Sequence, residues 1–349
     1  MTKLRVFVLM HEDLVPPPNA HALENYVEEP WRTEFDVLKA VKRCGHEVQP
    51  LGVHDDLGVI HKAINEWKPD LVFNLLEEFG GEAMLDQNVV SYLEMLQVPY
   101  TGCSPLGLML ARDKALSKKL LAFHKIRVPR FQVFPRARKI RRVKLLTFPA
   151  IVKSLVEEAS LGISLQSVVE NDESLAERVT FIHEKVGTDA IAEQYIHGRE
   201  LYVGVMGNHR LTVFPPWELS IEGKDEDEPL IATRKLKFDL EYQEKIGVKT
   251  AAARLPDDLR VKIQKISRKI FHVLHMDGYA RLDFRMTEDN RVYFLEANPN
   301  PQLAHREDFH SAANKMGISY QRLIKRIIQL GLSRMKRADR PTSQDYGPS

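Results

Sequence analysis

Short unbroken apolar runs alternate with amphipathic stretches through the first third of the chain, and this rhythm admits little besides a layered α/β fold. Leu4 to Met10 reads as a buried strand, Trp31 to Arg43 as a helix with Gly45 at its C-cap, and Glu47 to Pro50 as a return to extended chain. Pro16, Pro17 and Pro18 mark a stiff surface loop between the first strand and the first helix. Gly58 to Trp67 is a second helical stretch. It leads into Asp70-Leu-Val-Phe-Asn-Leu75, whose continuous apolar character is that of a parallel strand covered on both faces. A helix over Asn88 to Leu96 and a strand over Val98 to Thr101 complete an open parallel layer.

The pattern changes after Thr101. A helix is predicted over Arg112 to His124, followed by short strands at Pro149 to Lys153, Asp189 to Tyr195, Glu200 to Met206 and Leu211 to Phe214. Helix Pro256 to Leu274 precedes strands Tyr279 to Met286 and Arg291 to Ala297. Ser319 to Leu330 then places Leu323, Ile324, Ile327 and Ile328 at core spacing. Strands clustered in this way predict an α+β second part. From Ser333 the apolar periodicity ends, and the stretch to Ser349 reads as a disordered tail. With 349 residues the chain has room for more than one domain. Its 50 Lys+Arg against 48 Asp+Glu give a net charge of +2, which offers no ground for a nucleic-acid or membrane partner. The two cysteines, Cys44 and Cys103, are too far apart for a metal knuckle and read as reduced thiols of a cytoplasmic protein. No run is long enough for a membrane span, and the first apolar run, ending before His11, is too short for a signal peptide.

The sharpest chemical signal is the hairpin near the C-terminal end. In Tyr279-Ala-Arg-Leu-Asp-Phe284 the polar Arg281 and Asp283 share one face, and Glu296 and Asn298 share a face of the next strand. With Asp289-Asn290 at the centre of the turn, Asp283 faces Glu296 and Arg281 faces Asn298. Two carboxylates opposed at roughly 5 Å between β-carbons repel unless a cation lies between them. Oxygen-only donors suit Mg²⁺. A solvated strand face with a chance charge pair is the competing reading, and a slip of one residue would part the carboxylates. A second signal is a set of lysines. Lys153 ends an apolar strand, and the segment Glu157 to Ser164 behind it contains Ser160 and Gly162, which can offer a hydroxyl and backbone N–H groups to phosphate oxygens. Taken alone this is an ordinary loop, and Lys114, after Arg112-Asp113, is an ordinary solvated lysine.

These segments together resemble the D-alanine–D-alanine ligases and, more widely, the ATP-grasp carboxylate–amine ligases, from about Asp70 to Leu332. Asp70-Leu-Val-Phe-Asn, Val98-Pro-Tyr-Thr-Gly102, Asp113-Lys114 with Lys118, and Pro149-Ala-Ile-Val-Lys153 match in order. Glu193-Gln-Tyr-Ile-His-Gly-Arg-Glu200, Gly278-Tyr-Ala-Arg-Leu-Asp283 and Glu296-Ala-Asn298 follow. The resemblance implies an ATP-grasp fold behind an N-terminal open parallel α/β domain. Its limits fall at 1–105 for that domain, 106–200 and 201–332 for the two ATP-grasp subdomains, and 333–349 for the tail. It further implies that Lys114 and Lys153 grip ATP phosphates and that Glu193 with Gln194, Tyr195 and Ile196 forms the adenine edge. Glu200 takes the ribose hydroxyls, Ser160 and Gly162 belong to the phosphate-covering loop, and Lys245 lies near the γ-phosphate. Asp283, Glu296 and Asn298 match the ligands of two Mg²⁺ ions, for which Mn²⁺ can substitute, and Arg281 matches the arginine that steadies the oxyanion. The implied reaction joins a carboxylate to an amine through an acyl phosphate, because a carboxylate must be activated before an amine can attack it. A homodimer, amino-acid or peptide substrates and a cytoplasmic location are implied too. A non-catalytic ATP-binding protein on the same fold is the alternative, although a pure binder has no use for Arg281.

The departures bear on the substrate. The ligases carry a Glu-His-Glu-Val-Ser type motif where this chain has His11-Glu-Asp-Leu-Val-Pro-Pro-Pro, in which Glu12 is the residue left to meet a substrate amine. Their serine pair in the phosphate loop is Ala159-Ser160. Their Pro-Gly and carboxylate-holding serine are replaced by Pro299-Asn-Pro-Gln-Leu-Ala-His-Arg306. Arg306 is suited to a bidentate carboxylate grip, so the expected substrate is larger or more polar than D-alanine. The run Arg136 to Lys144, with six positive charges in nine residues, lacks aromatic interleaving and reads as a solvated connector. The 13 histidines form no His-Glu-x-x-His pair and no Gly-x-Ser-x-Gly elbow is present, which removes zinc proteases and serine hydrolases from consideration.

Overall fold

The computed structural model describes residues 2–23, 25–156, 164–221 and 245–338. Its first layer is a parallel sheet of β1 (Arg5–His11), β2 (Glu47–Val53) and β3 (Leu71–Asn74), in the order β2-β1-β3, joined through α1 (Arg32–Arg43) and α2 (Leu57–Trp67). Strand β1 is apolar from Val6 to Met10 because both faces are covered there: Val6, Val8 and Met10 pack with Val37 and Val41 of α1, and Phe7 and Leu9 with Ile60 and Ile64 of α2. The strand expected at Val98 to Thr101 is reduced to a single parallel bridge between Val72 and Tyr100. Pro99 has no N–H to extend the ladder.

After α3 (Asp86–Met95) comes α4 (Pro105–Arg112), for which no helix was expected, and the helix expected over Arg112 to His124 is α5 (Lys114–Phe123). Asp113 divides them. Its backbone is extended and its carboxylate accepts the N–H groups of Ala115 and Leu116, so it caps α5 instead of continuing α4. The start of α4 was written in the sequence as Ser104-Pro105, an N-cap followed by proline at the first helical position.

A four-stranded sheet follows, formed by β4 (Phe131–Phe134), β5 (Ala150–Ser154), β6 (Val168–Val169) and β7 (Ala190–Gln194) in the order β4-β7-β5-β6, with α6 (Asp172–Phe181) packed on it. Strand β4 escapes pattern reading because only five residues separate the breaks at Pro129 and Pro135. The basic run beside it is anchored locally. Arg136 donates to the Gly187 carbonyl, and the Arg142 guanidinium pairs with Asp172 and stacks on Phe148.

The last sheet contains β8 (Arg199–Met206), β9 (Thr212–Val213), β10 (Trp217–Ile221), β11 (Val248–Ala252), β12 (Tyr279–Met286) and β13 (Val292–Pro299), in the order β11-β10-β8-β12-β13 with β9 on β8. One face, with Leu201, Val203, Leu282, Phe284 and Phe294, packs on Ile263, Ile270 and Phe271 of α7 (Asp257–Val273). Glu200, Tyr202, Arg281, Asp283 and Arg285 alternate with these residues and therefore share the opposite face. Two helices, α8 (Asp308–Lys315) and α9 (Tyr320–Ala338), end the described chain, and no described helix is long and apolar enough to cross a membrane.

The tail expected from Ser333 begins instead as the last turns of α9, and only 339–349 lie outside the described residues. The reason is Arg334. Its guanidinium lies 4.2 Å from the Tyr100 ring centroid and donates to Asp277 at 3.0 Å, to the Tyr100 carbonyl at 3.2 Å and to the Gly102 carbonyl at 2.5 Å. It thus ties the end of the first layer to the entrance of β12. At the same place Gly278 (φ +68°) lies so close to Gly102 that a Cβ would come 2.3 Å from the Gly102 carbonyl oxygen. Replacing Arg334 by Ala should therefore lower unfolding free energy by about 2–4 kcal/mol, the sum of charge-assisted bonds and a cation–π contact. An unchanged urea midpoint would show the contact to be idle.

Candidate active site

The site is assembled around the β12–β13 hairpin. Arg281 lies opposite Asn298 and Asp283 opposite Glu296, as the sequence pattern predicts, but the route differs. The turn holds three residues, Glu288 to Asn290, with Asn290 at φ +60°, closed by a Thr287 N–H to Arg291 carbonyl bond. Near the turn Phe284 pairs with Phe294, one residue out of step with the Asp283–Glu296 pair. A β-bulge at Leu295 takes up the extra residue. It returns Glu296 to the face of Asp283, while Phe294 and Ala297 both enter the core.

The bulge also releases the Leu295 carbonyl, which accepts the Nζ–H of Lys118. Lys118, on α5, is fully buried. Its ammonium lies 2.9 Å from Glu193 Oε1, and Lys153 Nζ donates to Glu193 Oε2 at 3.2 Å. Burial lowers the pKa of Lys118 against the pull of Glu193. For Lys153 burial also acts downward, but the carboxylates of Glu193 and Glu296 outweigh it and the pKa rises. Burial would raise Glu193, and the two ammonium groups hold it low instead. Two ammonium groups converging on one carboxylate place several N–H donors at one point, which suits phosphate oxygens. The resemblance gives the phosphates to Lys114 and Lys153 and includes Lys118 only as a matched residue; the structure brings Lys118 to Glu193 as well. Lys114 opens α5 and is buried there, with its main-chain N–H on the Leu155 carbonyl. The available signal was that four residues carry Lys118 one turn further along the helix, onto the buried face with Leu121.

Along β7 the N–H of Gln194 binds the Arg130 carbonyl and that of Tyr195 the Pro149 carbonyl. Ile196, just past the strand, makes no such bond among the described residues, so its N–H is the one free for the edge of a base. The Glu193 side chain, expected at the adenine edge, is instead the shared partner of Lys118 and Lys153. Glu200 is buried on β8. Its Oε2 accepts Arg285 Nη2 at 2.7 Å and its Oε1 accepts the Tyr202 hydroxyl at 2.9 Å.

Arg281 holds Asp283 with both Nε (2.8 Å) and Nη2 (2.9 Å), and the Asn298 amide donates to Asp283 Oδ2 at 3.0 Å. Burial alone would lower the Arg281 pKa, but the Asp283 carboxylate more than reverses it. Two carboxylates and an amide are hard oxygen donors, and the donor set fits Mg²⁺, which takes one or two protein carboxylates and completes its shell with water and phosphate oxygens. No group of three or more His, Cys, Asp or Glu is gathered as a cage among the described residues, so such an ion would rely on a phosphorylated ligand for the rest of its shell. Lys245 is exposed and makes no ion pair among the described residues, and Ser160 and Gly162 lie outside them.

On the far side of Arg281 the loop 300–308 is held from the first layer. Arg32 of α1 donates to the His305 carbonyl at 2.7 Å and to Glu307 at 2.9 Å, and Asp36 accepts the His305 N–H at 2.8 Å. Arg306 is exposed at φ +74°, its N–H bound to His310 Nδ1, and its guanidinium has no ion-pair partner among the described residues. Glu12 is exposed in a short 3₁₀ turn after β1. Beside it, the His11 and His54 rings approach to 3.0 Å.

A family model described as "D-ala D-ala ligase C-terminus" matches residues 120–329. An uncharacterised protein of Sinorhizobium fredii is 32% identical, covering 86% of this chain and 89% of its own. D-alanine–D-alanine ligases of Aquifex aeolicus (29% identity, 85% and 94% covered) and Syntrophotalea carbinolica (30%, 85% and 89%) are similar over comparable spans. Among solved structures, the Bacillus anthracis D-alanine–D-alanine ligase complexed with ATP superposes with a TM-score of 0.74 at 20% identity, covering 96% of this chain and 99% of that one. The VanG D-Ala:D-Ser ligase of Enterococcus faecalis gives 0.67 at 18%, with 95% and 100% covered. If Glu200 receives the ribose, Glu200→Ala should raise the Michaelis constant for ATP about ten-fold, the value of bonds to a buried charged acceptor. An unchanged ATP dependence would remove the nucleoside from this strand.

Proposed function

The chain belongs to the D-alanine–D-alanine ligase family of ATP-grasp enzymes, ATP-dependent ligases that form carbon–nitrogen bonds, and we propose that it joins an amino acid or small peptide to an amine through an acyl phosphate. The observation that carries this reading is the company Arg281 keeps. It shares one sheet face with Asp283 and Glu296, and Glu296 acts electrostatically on Lys153 of the buried lysine pair. A nucleotide phosphate held by Lys118 and Lys153 would thus arrive beside the carboxylate pair.

In this proposal Lys118 and Lys153 bind the phosphates, Ile196 meets the base and Glu200 the ribose. Asp283, Glu296 and Asn298 would hold Mg²⁺, which when bound neutralises phosphate charge. Arg281 has Nη1 left over from its grip on Asp283. That group is placed to stabilise the oxygen on which charge develops when the amine attacks the acyl carbon. Lys245 and the segment with Ser160 and Gly162 would cover the phosphates and exclude water.

The substrate end supports an acceptor other than D-alanine. Arg306 presents a guanidinium with no ion-pair partner among the described residues, from a loop that α1 holds in place, a suitable seat for a carboxylate. We therefore place an amino acid or peptide larger or more polar than D-alanine there. Incubation with ATP, Mg²⁺ and pooled acids and amines, followed by mass spectrometry, should yield condensation products. D-alanyl-D-alanine as the preferred product would overturn the substrate assignment.

Asp283→Asn and Glu296→Gln each remove one anionic donor, and each should reduce Mg²⁺-dependent ATP turnover by about two orders of magnitude or more with the fold intact. Full activity in either variant would move the metal elsewhere.

A further inference from the structure

Tyr202 lies between the two ends of the site and has no place in the reading above. It stands on β8, two residues after Glu200 and directly across the ladder from Asp283 of β12. Its side chain is buried, packed with Leu219, Trp217, Ile246 and Val248. Its hydroxyl donates to Glu200 Oε1 at 2.9 Å, and the Arg281 guanidinium carbon lies 4.7 Å from its ring centroid. One rigid side chain therefore touches the carboxylate assigned to the ribose and the guanidinium assigned to the oxyanion.

Each contact removes a freedom that the functional group would otherwise keep. Arg285 fixes only Oε2 of Glu200, so without the phenol the carboxylate can rotate about its last bond. Asp283 fixes two nitrogens of Arg281 along one edge, while the flat of the guanidinium has the Tyr202 ring as its support. A guanidinium prefers an aromatic face, and a ring locked by packing sets the tilt of its plane.

We propose that Tyr202 is a positioning residue that couples the nucleotide end of the site to its reaction end, its hydroxyl orienting Glu200 for the ribose and its ring face orienting Arg281 for the oxyanion. This rests on the roles given to Glu200 and Arg281 above, and the two parts of the side chain separate in kinetics. Tyr202→Phe keeps the ring and loses the hydroxyl. It should raise the Michaelis constant for ATP roughly five-fold and leave kcat within about two-fold, the size of one ordinary net hydrogen bond, because Glu200 keeps its bond to Arg285 and loses only its orientation. Tyr202→Met, of similar bulk without a ring, should show the same rise and also lower kcat roughly ten-fold.

The nucleotide half has a readout that needs no turnover. The affinity for β,γ-imido-ATP, measured calorimetrically without Mg²⁺, should fall in Tyr202→Phe by the same factor as the Michaelis constant rises. If Glu200→Ala weakens that binding and Tyr202→Phe does not, the coupling is refuted while the ribose assignment stands. If neither variant weakens it, the ribose assignment and the nucleotide half of the coupling fall together. The reaction half is decided against Arg281→Lys, which has no plane to support. Tyr202→Met should cost kcat in the arginine enzyme and much less in the lysine variant. An equal loss in both, or a methionine variant that fails to fold while Tyr202→Phe with Arg281→Lys matches Arg281→Lys in every constant, would reduce Tyr202 to a packing residue.

Discussion

The site depends on one inserted residue in one strand. Were the β12–β13 ladder to continue from the turn in unbroken register, Leu295 would face Asp283, and Glu296 would point with Leu282 into the core. The bulge at Leu295 reverses this. It brings Glu296 beside Asp283 and frees the Leu295 carbonyl, which then receives Lys118. Phosphate-binding charge and metal-binding charge are thereby registered against each other by a single backbone irregularity. A buried ammonium with a carbonyl and a carboxylate around it also has little freedom to move, so α5 is fixed relative to the hairpin.

Three acidic groups of the site have cationic and hydrogen-bonding guards within the protein. Glu193 has Lys118 and Lys153, Glu200 has Arg285 and Tyr202, and Asp283 has Arg281 and Asn298. Charges so deeply placed are costly unless paired. Pairing within the protein meets that cost before any ligand arrives and keeps the groups aimed, the condition for electrostatic catalysis without reorganisation. The pairing is uneven where it matters: two lysines share one carboxylate, and Arg281 retains Nη1.

The acceptor side is built from parts distant in sequence. Helix α1 reaches across to loop 300–308 through Arg32 and Asp36, and stacked His305 and His310 rest against Tyr320 of α9. Burial lowers the pKa of His310 to about 4, so it remains neutral and accepts the Arg306 N–H. The left-handed backbone of Arg306 is held from both sides, which is how a strained conformation persists in a loop that presents a charged side chain.

The amino-acid sequence alone determined the parallel first layer, the hairpin and the facing of Asp283 with Glu296, because burial on two faces and alternation on one are local patterns. Its ordered motifs were also enough for the family. It did not disclose the bulge, since a turn of three residues and an inserted residue offset each other and leave the same pairing at the site. It gave Lys118 no role beside Lys114, because only the packing of α5 on β13 brings the Lys118 ammonium to Glu193 and the Leu295 carbonyl. The last turns of α9 carry little apolar periodicity and read as a tail; Arg334 orders them through partners more than two hundred residues earlier in the chain. Tyr202 was passed over for the same reason. A tyrosine in a strand is unremarkable until the neighbouring strand sets an arginine against its face, and that juxtaposition exists only in three dimensions.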